Sequence, residues 1–282
     1  MLDQFEIAGG SVTGYEHVKT GKNNQDAFCW AVSDLAIAAV VTDGCSDSSH
    51  SEVGAKIGAK VVAEEIIKEA RDYNNSVTAL LPDTYPPYPF WNNVRMRVLR
   101  KLDNIVNSIG ADPKTTLDYF LFTIVGALIT PWSGMIFSVG DGITFLNGEI
   151  QKLGPFPNNA PPYLGYSLLG KSPDNIRPEW LQFTVHKISD TRYIESILIG
   201  SDGLEDLINA AGENIPGKNE LVGPISQFWE DDRYFKNPDM IRRKLSLINR
   251  TIAKIDWENR NVIREHGVLP DDTTLVVIRR KK

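Results

Sequence analysis

Acidic residues stand at the ends of several apolar segments of this sequence. The apolar run LAIAAVVT ends at Asp43, with Gly44 behind it, and the run ILIGS ends in the same way at Asp202. Four further carboxylates lie just before or between apolar runs: Asp26, Asp141, Asp271 and Asp272. Any one of them alone is more often a turn residue than a ligand, because Asp-Gly pairs are common in loops. Several together indicate a binding site, since the strand ends of one sheet system converge.

Such a group of carboxylates predicts a bound cation. Packed together in a protein interior, the acids would repel one another strongly unless a cation lay among them. Oxygen ligands without His or thiolate select hard cations such as Mg²⁺ or Mn²⁺. The sequence contains no Walker loop, no dinucleotide-binding glycine pattern, no H-E-x-x-H, no C-x-x-C and no G-x-S-x-G. Metal-assisted hydrolysis is therefore the chemistry that remains.

The elements that must position these acids begin with strands. Segments rich in β-branched and aromatic residues are bounded by turn residues, as expected of strands. They lie at 5–18, 27–33, 35–42, 119–130, 134–140 and 143–153, with further strands in WLQFTVHKI, YIESILIGSDG and TTLVVIRR. Asn147-Gly148 lies inside the sixth of these segments and is a strong hairpin signal.

Helical periodicity separates these strands. Apolar residues recur at helical spacing over 51–71 and 92–109, and a short helix follows Gly203. Gly54 and Gly58 indicate that the first helix packs closely against another element. A further helix opens near Pro238, with apolar residues at coiled-coil spacing: Ile241, Leu245, Ile248, Ile252 and Ile255. Two heptads fall short of a coiled coil, so we expect a helix packed on a sheet.

The order of the elements indicates the architecture. Strands, two helices, strands, helices and a final strand favour sheets packed on each other and covered by helices, rather than alternating βαβ units. Residues 72–91 and 155–178 are rich in proline and are expected to be loops. No long linker divides the chain, so we expect a single domain over residues 1–282.

Composition excludes several classes of protein. The chain of 282 residues has a net charge of −6 and no basic stripe, which argues against nucleic-acid binding. Two cysteines cannot form a disulfide framework, so we expect reduced thiols and a cytoplasmic protein. The N-terminus has no signal-peptide pattern, and the longest apolar runs fall far short of the roughly 20 residues that span a bilayer. No membrane association is expected.

The succession NNQDA, VVTDG, FSVGDG, ILIGSDGLEDL and PDDTTLVVI resembles the metal-dependent protein phosphatases of type 2C, and the segment HVKTGKNNQD resembles a bacterial branch of that family. The resemblance runs from about Ser11 to Arg279, with insertions near 72–115 and 155–178. It implies an α+β fold, a four-layer αββα sandwich of two antiparallel β-sheets flanked by helices. A two-metal site would lie at one edge of the sandwich.

The resemblance also assigns roles to the acids. Asp43 corresponds to the carboxylate that bridges two metals, and the carbonyl of Gly44 corresponds to a further ligand. A strand end would aim the carboxylate, and glycine would let the backbone approach the ion. The other positions follow in order: Asp202 and Asp271 as ligands of one ion, Asp141 with Asp202 for a weaker third ion, and Asp26 as holder of a metal-bound water. Asp272 stands where the family usually has Asn, so we expect a neighbour of the site rather than a ligand.

Some positions depart from the family pattern. Gln25 stands where animal members have Glu. We expect Gln25 to make the contact of that Glu more weakly or through a water molecule. The phosphate-binding Arg of the family would fall at Gly21, which leaves Lys22 and His17 as candidates for that role. Cys45 stands where animal members have a His proposed as proton donor, so the general acid stays open. His17 could equally be a histidine at the end of a surface strand.

The implied activity is hydrolysis of phosphoserine and phosphothreonine in proteins. A hydroxide bridging two Mn²⁺ or Mg²⁺ ions would attack phosphorus without a phosphoenzyme. The implied partners are a phosphorylated protein and, as in related bacterial signalling, a serine/threonine kinase; we expect a monomer. The alternative is a catalytically weak or inactive phosphatase-like binding or regulatory protein, although Asp43, Asp202 and Asp271 are all present.

Overall fold

Strands and helices occur in groups along the chain in the computed structural model, which describes residues 3–74, 88–157, 160–170, 173 and 176–281. The strands are β1 (Phe5–Val12), β2 (Asp26–Val32), β3 (Ile37–Asp43), β4 (Ile124–Ile129), β5 (Ser133–Val139), β6 (Gly142–Leu146), β7 (Glu149–Leu153), β8 (Thr184–Asp190), β9 (Ser196–Gly200), β10 (Ile252–Asp256), β11 (Asn261–Glu265) and β12 (Thr273–Arg280). The helices are α1 (Tyr15–Thr20), α2 (Ser51–Asn74), α3 (Tyr88–Ile109), α4 (Pro113–Tyr119), α5 (Leu204–Asn209), α6 (Gln227–Glu230), α7 (Arg233–Lys236) and α8 (Met240–Ile248).

Two antiparallel sheets form the centre of the molecule. One sheet has the order β1-β12-β9-β6-β7, and the other has the order β2-β3-β4-β5-β8. Successive residues of a strand point to opposite faces of its sheet. Val41 of β3 and Val276 of β12 accordingly belong to one buried cluster between the sheets. Their neighbours Val40 and Val277 face outward, towards α2 and α3 and towards α5 and α8 respectively. These four layers confirm the predicted αββα sandwich.

Glycines allow α2 to lie close to its neighbours. A Cβ atom at Gly54 would stand 1.6 Å from the carbonyl oxygen of Tyr119, and one at Gly58 would stand 2.2 Å from the Phe122 ring. Both separations are far shorter than a non-bonded contact. The close packing predicted for this pair of glycines is confirmed.

The helix predicted to run from Pro238 through Ile255 ends at Ile248 instead. Ile252 and Ile255 lie on β10, which pairs with β11 as a separate two-stranded hairpin. Ile248 is fully buried, whereas Ile255 is 58% exposed. The side chain of Asn249 explains the break, because it accepts the N–H of Leu269 and donates to the carbonyl of Thr13. These tertiary contacts end the helix where the isoleucine spacing alone would continue it.

The predicted strand over 5–18 is also wrong in its second half. β1 stops at Val12, and α1 carries His17 on a short helix. The first N–H groups of this helix donate to a distant loop: Tyr15 to the carbonyl of Leu269 and Glu16 to that of Pro270. The loop thus provides hydrogen-bond acceptors for backbone N–H groups. If the strand continued, these groups would need acceptors in a neighbouring strand.

Other boundaries differ less. The strand predicted from 119 begins at Ile124, because Tyr119 closes α4. The loop predicted for 72–91 is helical at its ends, in α2 and α3, and its residues 75–87 lie outside the described residues. The loop predicted for 155–178 contains a 3₁₀ turn at Leu164–Leu168. Residues 158–159, 171–172 and 174–175 of that loop also lie outside the described part of the chain. None of the helices in the described ranges combines the length and the apolar character needed to span a lipid bilayer.

Candidate metal centre

An acidic pocket lies where strand ends of the two sheets meet. The predicted site residues that line it are His17, Asp43, Gly44, Asp141, Asp202 and Asp271. β3 of one sheet ends at Asp43, while Asp202 follows β9 and Asp271 precedes β12 in the other sheet. Because β9 and β12 are paired neighbours, the residues beyond their ends lie side by side. The sandwich therefore gathers in one pocket acids that are far apart in the sequence.

Asp43 and Gly44 sit between two backbone segments. The carbonyl of Asp43 accepts the N–H of Thr123 at 2.7 Å, and the N–H of Gly44 donates to the carbonyl of Gln25 at 3.1 Å. A Cβ atom at Gly44 would stand 2.8 Å from the side chain of Ser51. Only glycine leaves room here, which explains the Asp-Gly pair at the end of this apolar strand.

Asp26 lies directly beside Asp43 in the ladder of β2 and β3. Its carboxyl group is buried, and Oδ2 accepts the hydroxyl of Ser201 at 2.6 Å. Its Oδ1 has no hydrogen-bond partner among the described residues. A buried oxygen without a partner is costly, so this atom is well suited to hold a water or a metal-bound ligand.

The carboxyl groups raise one another's pKa. Burial raises the pKa of Asp43 well above its usual value, and the neighbouring aspartates add to the effect. Burial, with Asp202 beside it, raises the pKa of Asp141 to about 6. Burial first and nearby acids second also raise the pKa of Asp202 and that of Asp26. An oxygen-only set that disfavours its own charge fits a hard divalent cation.

His17 forms part of the pocket wall. Its side chain is 15% exposed, and Nε2 lies 4.0 Å from Oδ1 of Asp271. Lys22, the other candidate for contact with phosphate, is exposed and donates from Nζ to the carbonyl of Ser46 at 3.3 Å. Ser46 lines the pocket, so Lys22 lies at its rim. Of the two candidates, His17 is the closer to the acids.

Asp272 lies behind the pocket wall. Its Oδ1 accepts the N–H of Gly14 at 2.7 Å, and its Oδ2 accepts the N–H of Gln25 at 2.6 Å. Ligand atoms of His17, Asp271 and Asp272 lie within 4.8 Å of one another, a spacing that suits a metal ion. Both oxygens of Asp272 are nevertheless engaged with backbone donors. This arrangement favours the neighbour expected from the sequence over a ligand.

Gln25 also lines the pocket, and its side-chain amide is bound to the neighbouring loop. Its Nε2 donates to the hydroxyl of Ser51 at 2.7 Å, and that hydroxyl donates to the carbonyl of Cys45. Cys45 lines the pocket beside Gly44 and is a free thiol. Gln25 therefore supports the loop that carries Gly44 and Cys45.

Sequence reasoning missed several residues of the site, among them Ser201 and Tyr163. Ser201 binds Asp26, and Tyr163 reaches the pocket from the loop predicted over 155–178. Burial and the neighbouring Cys45 raise the pKa of Tyr163. A serine directly before Asp202 was a usable signal for the first. No local pattern marks a tyrosine in a proline-rich loop as part of a distant site.

Comparison with known proteins identifies the family. The model of the family described as Protein phosphatase 2C matches residues 13–234. A crystal structure of a bacterial serine phosphatase is similar with a TM-score of 0.51 and 15% identity, over 98% of each chain. The serine/threonine phosphatase Stp1 from Staphylococcus aureus gives a TM-score of 0.50 and 15% identity, over 99% of this chain and 96% of that chain. No curated protein matches the chain by sequence.

At such identities the solved structures establish a shared fold. The family match covers most of the chain, including Asp26, Asp43, Asp141 and Asp202. This chain belongs to the protein phosphatase 2C family of metal-dependent serine/threonine phosphatases.

Proposed function

We propose that the acidic pocket is a two-metal phosphatase centre that takes Mn²⁺ or Mg²⁺. One observation carries the proposal: Asp43, Asp202 and Asp271 come from three strand ends and line one pocket. In this assignment Asp43 would hold both ions, and the Gly44 carbonyl, Asp202 and Asp271 would complete the protein ligands. Asp141, with Asp202, is the site for a weaker third ion.

Two divalent ions, when bound, would lower the pKa of a shared water and neutralise the phosphoryl oxygens. The role of the chain's own residues is to hold and orient the attacking water. The unpartnered Oδ1 of Asp26 would accept a proton of the water that attacks phosphorus, while the Ser201 hydroxyl fixes the other oxygen of that carboxylate. Fixing one oxygen orients the other, and orientation is a large part of what a hydrolase supplies.

The leaving oxygen needs a proton. Hydrolysis joins a water oxygen to phosphorus and breaks the bond between phosphorus and the serine or threonine oxygen; the water gives up a proton, and the leaving oxygen takes one. His17 has the chemistry and the place to supply it, since Nε2 faces the acids. Lys22, at the rim, would attract the phosphate by charge.

The proposal extends to context. The substrate is a phosphoprotein, with a serine/threonine kinase as signalling partner, and the enzyme acts as a monomer. Two free thiols, Cys29 and Cys45, agree with a cytoplasmic location. Residues 1–282 are taken as one phosphatase domain.

The test is hydrolysis of a phosphothreonine peptide by metal-stripped protein. After exhaustive dialysis against EDTA, activity should vanish, and it should return with Mn²⁺ or Mg²⁺ but not with Zn²⁺, because an oxygen-only site favours hard ions. Activity that survives chelation, or returns only with Zn²⁺, would contradict the metal assignment. Metal binding without turnover of any phosphopeptide or of p-nitrophenyl phosphate would favour the phosphatase-like binding protein.

A further inference from the structure

Asp272 and His17 face each other behind the pocket. Oδ2 of Asp272 lies 3.0 Å from Nδ1 of His17, and the Asp272 side chain is 3% exposed. His17 lines the pocket, and Asp272 does not. The imidazole therefore stands between a buried carboxylate at its back and the acidic pocket at its front.

The backbone of His17 is fastened to the same loop. Gly14 donates its N–H to Oδ1 of Asp272, and a Cβ at Gly14 would stand 2.4 Å from the Pro270 oxygen. Tyr15 and Glu16 donate to the carbonyls of Leu269 and Pro270. In a helix, a side chain leans towards the preceding turn, so His17 extends back over this junction. The loop that precedes β12 thus positions both the helix that carries His17 and the carboxylate of Asp272 beside the imidazole ring.

Few other polar contacts fix the orientation of the His17 imidazole ring among the described residues. No residue in the described ranges forms an aligned hydrogen bond with Nδ1 of His17, which is buried. Asp272 is the acidic group closest to that nitrogen. On the opposite side of the ring, Nε2 lies 4.0 Å from Asp271. A small rotation of the imidazole would align Nδ1–H with Oδ2 and leave Nε2 directed into the pocket.

We propose that Asp272 is a positioning residue, which holds the imidazole of His17 with Nδ1 towards the interior and Nε2 towards the phosphate. This inference rests on the proposed function. The bland alternative is that Asp272 only ties Gly14 and Gln25 to the final strand. In that case its contact with His17 is incidental.

The kinetic test compares Asp272→Asn, His17→Ala and the double variant on two substrates. A phosphothreonine peptide has a poor leaving group, whereas p-nitrophenyl phosphate needs little protonation. We expect both single variants to lower kcat/KM on the peptide by roughly ten- to a hundredfold, as a misplaced donor would, with little change on p-nitrophenyl phosphate. The double variant should have the same ratio of peptide activity to p-nitrophenyl phosphate activity as His17→Ala alone, because Asp272 is proposed to act through His17.

Asn249→Ala is the matched control. Asn249 also ties Thr13 to the loop at Leu269, but it does not touch His17. Its loss should loosen the same junction and leave the ratio of the two substrates as in the wild type. The positioning role is overturned if Asn249→Ala shifts the ratio as Asp272→Asn does, or if Asp272→Asn lowers both activities equally.

A second measurement needs no turnover. In ¹⁵N-histidine-labelled, metal-free protein, long-range ¹H–¹⁵N spectra report which ring nitrogen carries the proton, and His17→Ala identifies the signal. We expect a protonated Nδ1 in the wild type, both in the neutral ring and in the imidazolium that donates from Nε2, and a shift towards the Nε2-protonated neutral form in Asp272→Asn. An unprotonated Nδ1 in the wild type would overturn the proposal even if Asp272→Asn fails to fold. A wild type inactive on both substrates would instead refute the phosphatase function and leave this spectrum to decide the geometry.

Discussion

Asp43 is the central residue of the proposed metal centre. It is the last residue of β3, and it lies half-buried beside Asp26, its partner in the ladder. Burial and four neighbouring carboxylates raise its pKa. The proximity that disfavours the charge of Asp43 in the metal-free protein suits the bridge between two cations that we propose for this residue.

Replacing Asp43 by Asn should abolish phosphatase activity while the fold is retained. Asparagine has the same shape and removes one buried charge, so the melting temperature of the metal-free variant should equal or exceed that of the wild type. Kinetics at saturating Mn²⁺ and thermal unfolding in EDTA provide the two measurements. Asp103→Asn, on the exposed side of α3, is the control and should change neither. Wild-type-like kcat in Asp43→Asn would contradict the bridging role.

The individual residues differ in how far the sequence revealed them. Asp43 and Asp202 could be predicted because an Asp-Gly pair at the end of an apolar strand is a local signal. The surroundings of His17 could not, because Asp272 lies 255 positions away and meets it only through the pairing of β1 with β12. Tyr163 could not be predicted either, because its place in the site depends on where a loop crosses the pocket.

At the scale of elements, the end of α8 shows how tertiary contacts override periodicity. Isoleucine and leucine recur at helical spacing up to Ile255, yet the helix stops at Ile248 and a hairpin follows. Asn249 joins Thr13 and Leu269, which no local pattern contains. The spacing correctly predicted the buried face of the helix and could not predict its end.

Alanine substitutions at two of these isoleucines should therefore differ in cost. Ile248→Ala creates a cavity under the helix and should lower the free energy of unfolding by about 2–5 kcal/mol. Ile255→Ala changes an exposed hairpin side chain and should stay within about 0.5 kcal/mol. Urea unfolding of both variants beside the wild type measures the difference. Equal losses would mean that the helix continues through Ile255.

For the whole molecule, the acidic pocket links stability to pH and to metal. Burial holds the pKa of Asp141 at about 6, above its value in the unfolded chain, and raises that of Asp43 as well. The folded, metal-free protein therefore binds protons that the unfolded chain releases. Stability from these groups is present at low pH and is lost as the pH rises through the folded-state pKa.

Thermal unfolding in EDTA should show this loss of stability between about pH 4 and pH 7, because the pKa of Asp141 rises from its ordinary value of 3.8 to about 6 in the folded protein. Mn²⁺ should raise the melting temperature more at pH 7.5 than at pH 5, since protons compete with the cation for the carboxylates. In Asp141→Asn, the fall of stability with pH should be shallower than in the wild type. A steeper fall, or a larger metal effect at pH 5, would count against the assignment.

The layered architecture was predictable from the sequence because strand and helix segments occur in an order that few arrangements accommodate. Successive residues of β3 and β12 alternate between two buried clusters because each strand lies between a second sheet and a helical layer. The register of the sheets was not predictable. It depends on which distant strands pair, as β1 does with β12 and β6 with β9.

That pairing has a consequence for the timing of synthesis. Among the described strands, β1 is the first to leave the ribosome and β12 is the last, yet they are neighbours in one sheet. Until the final strand emerges, Gly14 and α1 have no loop to dock on, and the pocket lacks Asp271. Contacts between such distant positions also form slowly. A growing chain from which β12 has not yet emerged thus lacks the complete pocket, and we expect catalytic competence to arise in a single step after this strand has joined the sheet.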